Sequence, residues 1–372
     1  MIEPQAFVEN LAAHGLDFFT GVPDSLLKDF CAYLDDHGPA SKHIIAANEG
    51  NAVAIAAGYH MATGKSAVVY LQNSGLGNTI NPLTSIADKE VYQTPMLLVV
   101  GWRGEPGVKD EPQHIKQGRI TPAQLDLLEI PYRLVAATSS VQDVAAWVAE
   151  QLAATGAPVA LLVQKDAFSG YKSKRKAALN TTLKREAALA QLLELAGDAA
   201  LVSTTGKTSR EVFELRVQRG DAQRDFLTVG GMGHTASIAL GVALGQPAKR
   251  VVCLDGDGSV LMHMGALPVI GSMQPGNLVH VLLNNAAHES VGGQPTVADR
   301  VDFRAVALAC GYTAYAQAST QDELRAAWQE LTAQAGPALL EVRITTDSRD
   351  DLGRPTSTPR ENKYAFMQWL AR

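Results

Sequence analysis

The chain has 372 residues, of which 46% are hydrophobic and 19% are charged. This length suffices for two ordinary domains, and the composition is typical of a globular protein, which excludes a disordered or fibrous one. The net charge of −6 argues against nucleic acid as the main partner. The N-terminal sequence MIEPQAFVENLAAHGLDFF has the pattern of neither a secretory signal nor a spanning helix, so we expect a cytoplasmic protein with no membrane partner.

Apolar, β-branched runs alternate along the chain with amphipathic segments of helical period. The alternation predicts parallel sheets built from β-α-β units, and we expect an α/β fold with two doubly wound parallel-sheet domains. In the first half the predicted strands are DFFTG, HIIAA, SAVVYL, MLLVVG, YRLVAA and APVALLV. In the second half they are AALVS, DFLTV, RVVCLDG, LVHVLLN, YTAYA and PALLEVRI.

The segment SGYKSKRKAALNTTLK, residues 169–184, separates the two sets of strands. It is basic and polar and carries no strand signal, so it is predicted to be a linker between domains over residues 1–168 and 185–372. The segment is too short to hold a further middle domain.

Glycine-rich or polar turns follow several predicted strands in both halves, and ligands of such sheets bind beyond the carboxyl ends of the strands. These turns are GVPDS from Gly21, NSGLGN from Asn73, TTGKTS from Thr204, GGMGHT from Gly230 and DGDGS from Asp255. TTGKTS lacks the first glycine of a P-loop, so it is predicted to begin a helix near Lys207. Because both halves carry such turns, a site between domains or between chains is expected.

The turn of Gly256, Asp257 and Gly258 places an acid between two glycines. It is not the dinucleotide fingerprint, because the sixth position is Leu261. A carboxylate here would repel a diphosphate unless a divalent cation bound both. If the strands RVVCLDG and LVHVLLN are neighbours, about 5 Å apart, Asp257 and Asn285 can converge on one oxygen-preferring ion.

The GDG turn, 25 residues and then the pair Asn284 and Asn285 resemble the cofactor motif of the thiamine diphosphate enzymes. The resemblance covers almost the whole chain. It implies a pyrimidine-binding domain over residues 1–168, a diphosphate-binding domain over residues 185–372, and thiamine diphosphate and Mg²⁺ as cofactors. It also implies a homodimer or higher homo-oligomer with active sites at subunit interfaces.

The resemblance also assigns residues to the cofactors. It implies cofactor contacts from Glu49, Asn73, Gly231, Met232, Gly256, Asp257, Gly258, Ser259 and Asn285, and metal contacts from Asp257, Asn285 and Ala287. Glu49 would hydrogen-bond the aminopyrimidine ring of the cofactor. Without the resemblance, Glu49 would be interpreted as an acid in the first turn of a helix. Met232 would support the bent cofactor, or else be a core methionine. Since Ala286 and Ala287 follow the asparagine pair, the third metal ligand must be a backbone carbonyl.

Residues 101–122, GWRGEPGVKDEPQHIKQGRITP, are predicted to be a long loop without a regular period. Its cations are interleaved with acids, so it is either a substrate loop or a self-neutralising surface loop. The sequence of this segment, together with those of GVPDSLL, NNAAHESVGGQPT and SRDDLGRPTSTPRENK, resembles the sequences of certain family members. Those family members decarboxylate a small anionic 2-oxoacid that bears a phosphonate. The substrate contacts so implied are Asp24, Ser25, Arg103, Lys109 and Arg119, and the catalytic residues are Glu49, His114 and His288.

Several alternatives stay open. Ser25 could cap a helix, and either histidine could be structural. The substrate could carry a sulfonate in place of the phosphonate. A non-catalytic cofactor-binding subunit is disfavoured by the retention of Glu49, Asp257 and Asn285, and a carboligase is disfavoured by the missing middle domain.

Overall fold

The computed structural model describes residues 1–174, 179 and 181–372. The chain divides into two compact units, Met1–Lys176 with Val291–Gln294, and Ala177–Ser290 with Pro295–Arg372. The predicted linker, 169–184, includes residues 175–178 and 180, which lie outside the described residues, so the proposed domain boundaries stay predictions. Within the described ranges, every helix is too short or too polar to cross a membrane.

The first unit contains a six-stranded, fully parallel sheet in the order β2-β1-β3-β4-β6-β5. Its strands are β1 Phe19–Gly21, β2 His43–Ile45, β3 Ala67–Gln72, β4 Met96–Gly101, β5 Tyr132–Val135 and β6 Val159–Val163. Its helices are α1 Pro4–Ala13, α2 Lys28–His37, α3 Glu49–Thr63, α4 Leu76–Pro82, α5 Pro112–Leu127 and α6 Val141–Thr155.

Helices cover both faces of this sheet, so its central strands are buried on both sides. Successive residues of β3 and β4 alternate between two apolar clusters, with Val68 and Val99 in one and Val69 and Val100 in the other. This explains why both strands are nearly continuous Val and Leu runs. The chain turns back between β1 and β3, and the carboxyl ends of these two strands carry the turns GVPDS and NSGLGN.

The second unit contains a parallel sheet in the order β13-β14-β10-β9-β7-β8. The strands of this part of the chain are β7 Ala200–Ser203, β8 Phe226–Leu227, β9 Val251–Gly256, β10 Leu278–Asn284, β11 Ala287–His288, β12 Gln294–Pro295, β13 Ala314–Ala318 and β14 Ala338–Arg343. The helices are α7 Arg185–Ala196, α8 Lys207–Gln218, α9 Thr235–Gly245, α10 Asp257–Met262, α11 Ala266–Met273, α12 Phe303–Ala309, α13 Gln321–Thr332 and α14 Pro359–Leu370.

Strands β9 and β10 are neighbours, with Gly256 paired to Leu283 at their carboxyl ends. The order of the sheet reverses between β7 and β9, so the TTGKTS turn and the GDG turn flank the reversal, where ligands of such sheets bind. The prediction that these two strands are adjacent is confirmed. The connection between them is two helices, α10 and α11, rather than one, because the chain leaves helical geometry at His263.

Each predicted strand is found, and the α/β fold class with two doubly wound parallel sheets is confirmed. The predicted helix start at Lys207 is also confirmed, because α8 begins there.

Candidate active site

Asp257 is the first residue after β9. Its buried carboxylate accepts a hydrogen bond from the Thr296 hydroxyl, at 2.5 Å, and the backbone N–H groups of Gly258 and Asn285 lie close enough to favour its ionised form. Burial raises its pKa to about 6, although these groups favour the ionised form. In the described part of the chain no lysine or arginine forms an ion pair with it. The fold therefore buries an acid at this strand end without a protein cation to compensate it.

The two asparagines that follow β10 have different surroundings. Asn284 Nδ2 donates to Glu341 Oε1 on β14, at 3.0 Å, and its Oδ1 accepts from the Ala286 backbone N–H. Asn285 Nδ2 donates to Glu289 Oε2, at 3.0 Å, and its Oδ1 accepts from the Ala287 backbone N–H, at 3.1 Å. Asn284 therefore ties two strands together, whereas the amide oxygen of Asn285 lies beside Ala287, beyond the sheet.

The oxygen atoms near this turn suit a hard divalent cation. Asp257 offers a carboxylate, Asn285 an amide oxygen and Ala287 a backbone carbonyl, which are the ligand types that Mg²⁺ and Ca²⁺ prefer. A Cβ added to Gly256 would meet no atom within 4 Å, so there is open space over the turn. The buried, uncompensated Asp257 carboxylate is the observation that fits these residues to a metal ion.

The GGMG segment contacts the same turn. Gly233 donates its backbone N–H to Ser259 Oγ, at 3.1 Å, and Gly231 has a left-handed φ of 60°. The Met232 methyl group lies 3.1 Å from the position of a Cβ at Gly258. Met232 is half-buried and lies outside the apolar clusters of the second unit, so its side chain is available to a ligand over the turn.

His288 packs against the other side of Gly258. Its ring atoms Cε1 and Nδ1 lie 3.0 Å from the position of a Cβ there, so a larger residue at Gly258 would displace the ring. Burial lowers the pKa of His288 to about 4, and the ring is therefore neutral near pH 7. A neutral imidazole beside the metal-site turn can donate or accept a proton without a buried charge in its resting state.

Glu49 is the acid of the first unit that the sequence singles out. It is the first residue of α3, whose N-cap Asn48 accepts from the Asn51 backbone N–H. Its side chain is buried, burial raises its pKa, and its Oε2 accepts from Asn78 Nδ2 at 2.7 Å. Gly75 makes room for it, because a Cβ there would lie 2.3 Å from Glu49 Oε1. A carboxyl group with a raised pKa can exchange a proton with a ring nitrogen near neutral pH.

Arg103 lies at the centre of a second polar group in the first unit. Its guanidinium binds both carboxylate oxygens of Asp110, with Nε to Oδ2 at 2.8 Å, and Nη1 donates to Ser25 Oγ at 2.5 Å. Ser25 does not cap α2, which begins at Lys28 with Leu27 as its N-cap. Burial raises the pKa of neighbouring Asp24 to about 6, although the charge of Arg103 opposes that shift.

Unsatisfied polar atoms accompany this group. Asp24 Oδ1, Gln113 Oε1 and His114 Nδ1 are buried and have no hydrogen-bond partner within the described residues. Burial, and secondly the charge of Arg103, lower the pKa of His114 to about 4, so the ring is neutral. Unsatisfied buried polar atoms cost free energy, and several in one place are typical of a binding site for a polar ligand.

The prediction of a long loop over residues 101–122 is wrong, because α5 begins at Pro112. The helix packs closely on the preceding turn, since a Cβ on Gly118 would lie 1.8 Å from the Gly104 carbonyl oxygen. Pro122 has no N–H to donate to the Gly118 carbonyl, and the Trp102 indole donates to that carbonyl instead, at 2.8 Å. Tertiary contacts therefore stabilise a helix whose glycine and proline made the sequence look like a loop.

The other predicted contacts of the first unit are placed differently. Lys109 and Arg119 are exposed, and the described interactions join neither to Arg103. Asn73 is buried, and its side chain bonds the Arg103 backbone and the Thr121 hydroxyl. Asn73 thus positions Arg103, and its contact with a cofactor stays a prediction.

Sequence reasoning missed four residues that hold the predicted ones in place: Thr296, Glu289, Asn78 and Asp110. Glu289 lies four residues after Asn285, but this spacing indicates a contact only within a helix, and the chain between them includes β11. Thr296 bonds a residue 39 positions away, and no local pattern indicates that contact.

Two family models match the chain. Residues 4–127 match the N-terminal thiamine pyrophosphate (TPP) binding domain of the thiamine pyrophosphate enzymes, and residues 204–342 match the C-terminal TPP binding domain. Thiamine pyrophosphate is another name for thiamine diphosphate. The two matched regions contain the Glu49 side chain and the Asp257 turn, respectively.

Three decarboxylases are similar to this chain over nearly its full length. The phosphonopyruvate decarboxylase of Streptomyces viridochromogenes is 39% identical, with 100% of this chain and 95% of the relative covered. That of Streptomyces hygroscopicus is 36% identical, covering 99% and 94%. The sulfopyruvate decarboxylase of Methanosarcina acetivorans is 26% identical, covering 98% and 96%.

Proposed function

The chain belongs to the thiamine pyrophosphate enzymes and, within them, to the phosphonopyruvate decarboxylase family, and we propose that its substrate is 3-phosphonopyruvate. It is a carboxy-lyase that uses thiamine diphosphate. The proposed products are phosphonoacetaldehyde and carbon dioxide, in a step of phosphonate biosynthesis. In this reaction the bond to the carboxylate breaks, carbon dioxide leaves, and the remaining carbon takes up a proton.

We propose that Mg²⁺ joins the diphosphate to the second unit through Asp257, Asn285 and the Ala287 carbonyl. The buried Asp257 carboxylate without a protein cation is the observation that carries this assignment. When bound, thiamine diphosphate supplies the electron sink that loss of carbon dioxide requires. The residues of this chain bind it, orient it and move protons around it.

Glu49 is proposed to bond the aminopyrimidine ring of the cofactor. Its raised pKa and its buried position suit a carboxyl group that shares a proton with a ring nitrogen. His288 and His114 are proposed to transfer protons at the substrate, and both are neutral at pH 7 because of burial.

The substrate's phosphonate is proposed to bind at Arg103. Guanidinium groups bind phosphonates and carboxylates through paired hydrogen bonds, and Asp110 now occupies one such pair of donors. Ser25 and Asp24 line the same place, and the unsatisfied His114 Nδ1 is nearby. Lys109 and Arg119 remain predicted substrate contacts, although both lie in solvent here.

A sulfonate-bearing 2-oxoacid is the second candidate substrate, because the sulfopyruvate decarboxylase relative also spans the whole chain. Its lower identity, 26% against 39%, favours the phosphonate. Full-length similarity to named decarboxylases, together with the retained Glu49, Asp257 and Asn285, argues against a non-catalytic subunit.

Two further proposals rest on the sequence. The active unit is proposed to be a homodimer or higher homo-oligomer in which the first unit of one chain and the second unit of another contact one cofactor. The enzyme is proposed to act in the cytoplasm.

The function is tested by freeing the purified chain of metal with EDTA and then supplying phosphonopyruvate. We expect release of carbon dioxide and formation of phosphonoacetaldehyde only when thiamine diphosphate and Mg²⁺ are both restored. Turnover without either cofactor, or none with both, would contradict the proposal.

A further inference from the structure

Glu289 connects the proposed metal ligand Asn285 to a buried ion-pair group in the second unit. Its Oε2 accepts from Asn285 Nδ2, at 3.0 Å, and from Arg185 Nη1, at 2.5 Å. Its Oε1 accepts from Lys207 Nζ, at 3.1 Å. Three donors thus converge on one carboxylate whose side chain is 9% exposed. Two of the three donors, Arg185 and Lys207, are cations, so the carboxylate is held from both oxygens by charged partners.

The cations that hold Glu289 are themselves fixed by other contacts. Arg185 forms a two-bond pair with Glu211, at 2.7 and 2.9 Å, and both side chains are almost fully buried. Lys207 also donates to Ser348 Oγ, at 2.6 Å. The group contains two cations and two anions, so its charges balance. It therefore fixes the Glu289 carboxylate without leaving a net charge beside the metal-site turn.

The side-chain nitrogen of Asn285 faces a hydrogen-bond acceptor, and its side-chain oxygen faces a hydrogen-bond donor. A carboxylate can only accept, so the amide nitrogen must face Glu289. A backbone N–H can only donate, so the amide oxygen must face Ala287. Only the oxygen can bind a metal ion, and the oxygen lies on the side of Ala287, whose carbonyl is the other proposed ligand after β10.

We propose that Glu289 is a positioning residue for the metal site, which holds the Asn285 amide so that its oxygen, and not its nitrogen, faces the cation. This inference rests on the proposed function, because it takes Asn285 as a metal ligand. Glu289 is proposed to act through Asn285, whose amide nitrogen it accepts from, and not as a metal ligand itself. Partners that orient a metal ligand in this way typically change metal affinity 10-fold to 100-fold when they are removed.

The test compares Glu289→Gln with Glu211→Gln, a matched control that neutralises the other acid paired to Arg185. In Glu289→Gln one side-chain oxygen remains, and Lys207 bonds one oxygen position of the wild-type residue whereas Arg185 and Asn285 share the other. When the remaining oxygen faces Lys207, the new NH₂ group faces the Asn285 NH₂ group, and the Asn285 amide can flip. Free Mn²⁺ is measured by electron paramagnetic resonance as it titrates the full chain with thiamine diphosphate. Melting temperature is measured in parallel.

We expect both variants to melt at lower temperature than the wild type, and only Glu289→Gln to bind Mn²⁺ about tenfold more weakly. In an Asn285→Ala background, Glu289→Gln should weaken Mn²⁺ binding no further, because the amide through which it acts is gone. Equal loss of Mn²⁺ affinity in Glu289→Gln and Glu211→Gln would mean that Glu289 only stabilises the fold through its ion pairs. Fully additive losses of Mn²⁺ affinity in the Asn285→Ala, Glu289→Gln double variant would mean the same. Wild-type affinity in Glu289→Gln would also overturn the inference.

The same titration separates this inference from the proposed function. If the wild-type chain binds no Mn²⁺ with thiamine diphosphate, the metal site itself is wrong and the positioning role falls with it. If the wild type binds Mn²⁺ and Glu289→Gln binds it equally well, only the positioning role is wrong.

Discussion

The backbone N–H of Asn285 lies close enough to the buried carboxylate of Asp257 to favour its ionised form, although the two residues are 28 positions apart in the chain. The contact forms because β9 and β10 are parallel neighbours whose carboxyl ends lie side by side. Asp257 directly follows β9 and Asn285 directly follows β10, so the pairing of these strands brings the two proposed metal ligands together. Any change that shifts the register of these two strands should therefore separate the two proposed ligands.

Asp257→Ala should weaken thiamine diphosphate binding more than tenfold when Mg²⁺ is present, which is about 1.4 kcal/mol or more. The reason is that the metal loses a ligand and the diphosphate loses its compensating cation. The measurement is a cofactor titration with and without Mg²⁺. Without Mg²⁺ the variant should bind the cofactor at least as tightly as the wild type, because it lacks the carboxylate that repels the diphosphate. An unchanged titration with Mg²⁺ would exclude the metal bridge.

The sequence predicted the strands of both sheets because buried parallel strands are near-continuous apolar runs. It also predicted that Asp257 and Asn285 meet, since a strand, a crossover and a second strand usually place two strand ends together. It failed for α5, where Gly118 and Pro122 have low helix propensity and the helix depends on contacts with Gly104 and Trp102. Such contacts connect distant parts of the chain and leave no local periodic pattern.

Individual side-chain roles were harder to predict than strand ends. Only the family resemblance distinguished the two asparagines after β10, and no local pattern indicated that Asn284 bonds Glu341 and Asn285 bonds Glu289. It also grouped Arg119 with Arg103, whereas Arg119 lies in solvent on α5 and Arg103 binds Asp110. Both distinctions depend on which face of an element a side chain occupies.

Glu49→Gln should retain cofactor binding within a few-fold while removing most turnover. The amide keeps the shape of the carboxyl group and one acceptor oxygen, but it cannot exchange a proton with the cofactor ring. The variant is tested by a cofactor titration and by steady-state decarboxylation. Turnover near the wild-type rate would mean that Glu49 is an ordinary helix-start acid.

Asp24→Asn should stabilise the ligand-free protein at alkaline pH. Burial raises the pKa of Asp24 to about 6 in the folded chain, above its usual value of 3.8. The folded state therefore binds the proton more tightly, and ionisation costs stability as the pH rises from about 4 to 6, by up to roughly 3 kcal/mol above that range. Asparagine cannot ionise, so it removes this cost. Its NH₂ group can take the position of the Asp24 Oδ1 atom, which accepts no hydrogen bond among the described residues.

The measurement is denaturant unfolding of the wild type and Asp24→Asn at about pH 4 and about pH 8. We expect the variant to gain stability relative to the wild type between these two pH values. A stability difference that does not change with pH would show that Asp24 is not held in its protonated form by the fold.

Mixing Glu49→Gln chains with Asp257→Ala chains should restore activity. If one cofactor contacts the first unit of one chain and the second unit of another, a hybrid dimer has one site with both Glu49 and Asp257 intact. Activity of the mixture is compared with that of each inactive variant alone, after subunit exchange has been verified by mass spectrometry. No recovery after verified exchange would favour sites built within a single chain.

Arg103→Ala tests whether the substrate's phosphonate binds at Arg103. Arg119→Ala, on the same segment, is measured for comparison. Arg103 is part of the polar group with Asp24 and Ser25, whereas Arg119 is exposed. Loss of a hydrogen bond to a charged group costs about 1.5 to 3 kcal/mol. Arg103→Ala should therefore lower kcat/KM for phosphonopyruvate by about 10-fold to 150-fold and leave that for pyruvate nearly unchanged. Arg119→Ala should lower kcat/KM for phosphonopyruvate by less than Arg103→Ala does, because its side chain lies in solvent.

The most direct test of the account is kcat/KM of the wild-type enzyme for phosphonopyruvate, sulfopyruvate and pyruvate, measured side by side with thiamine diphosphate and Mg²⁺. We predict that phosphonopyruvate is decarboxylated most efficiently, that sulfopyruvate follows, and that pyruvate is poorest because it has no second anion for Arg103. Equal or better turnover of sulfopyruvate or pyruvate would contradict a site built for the phosphonate.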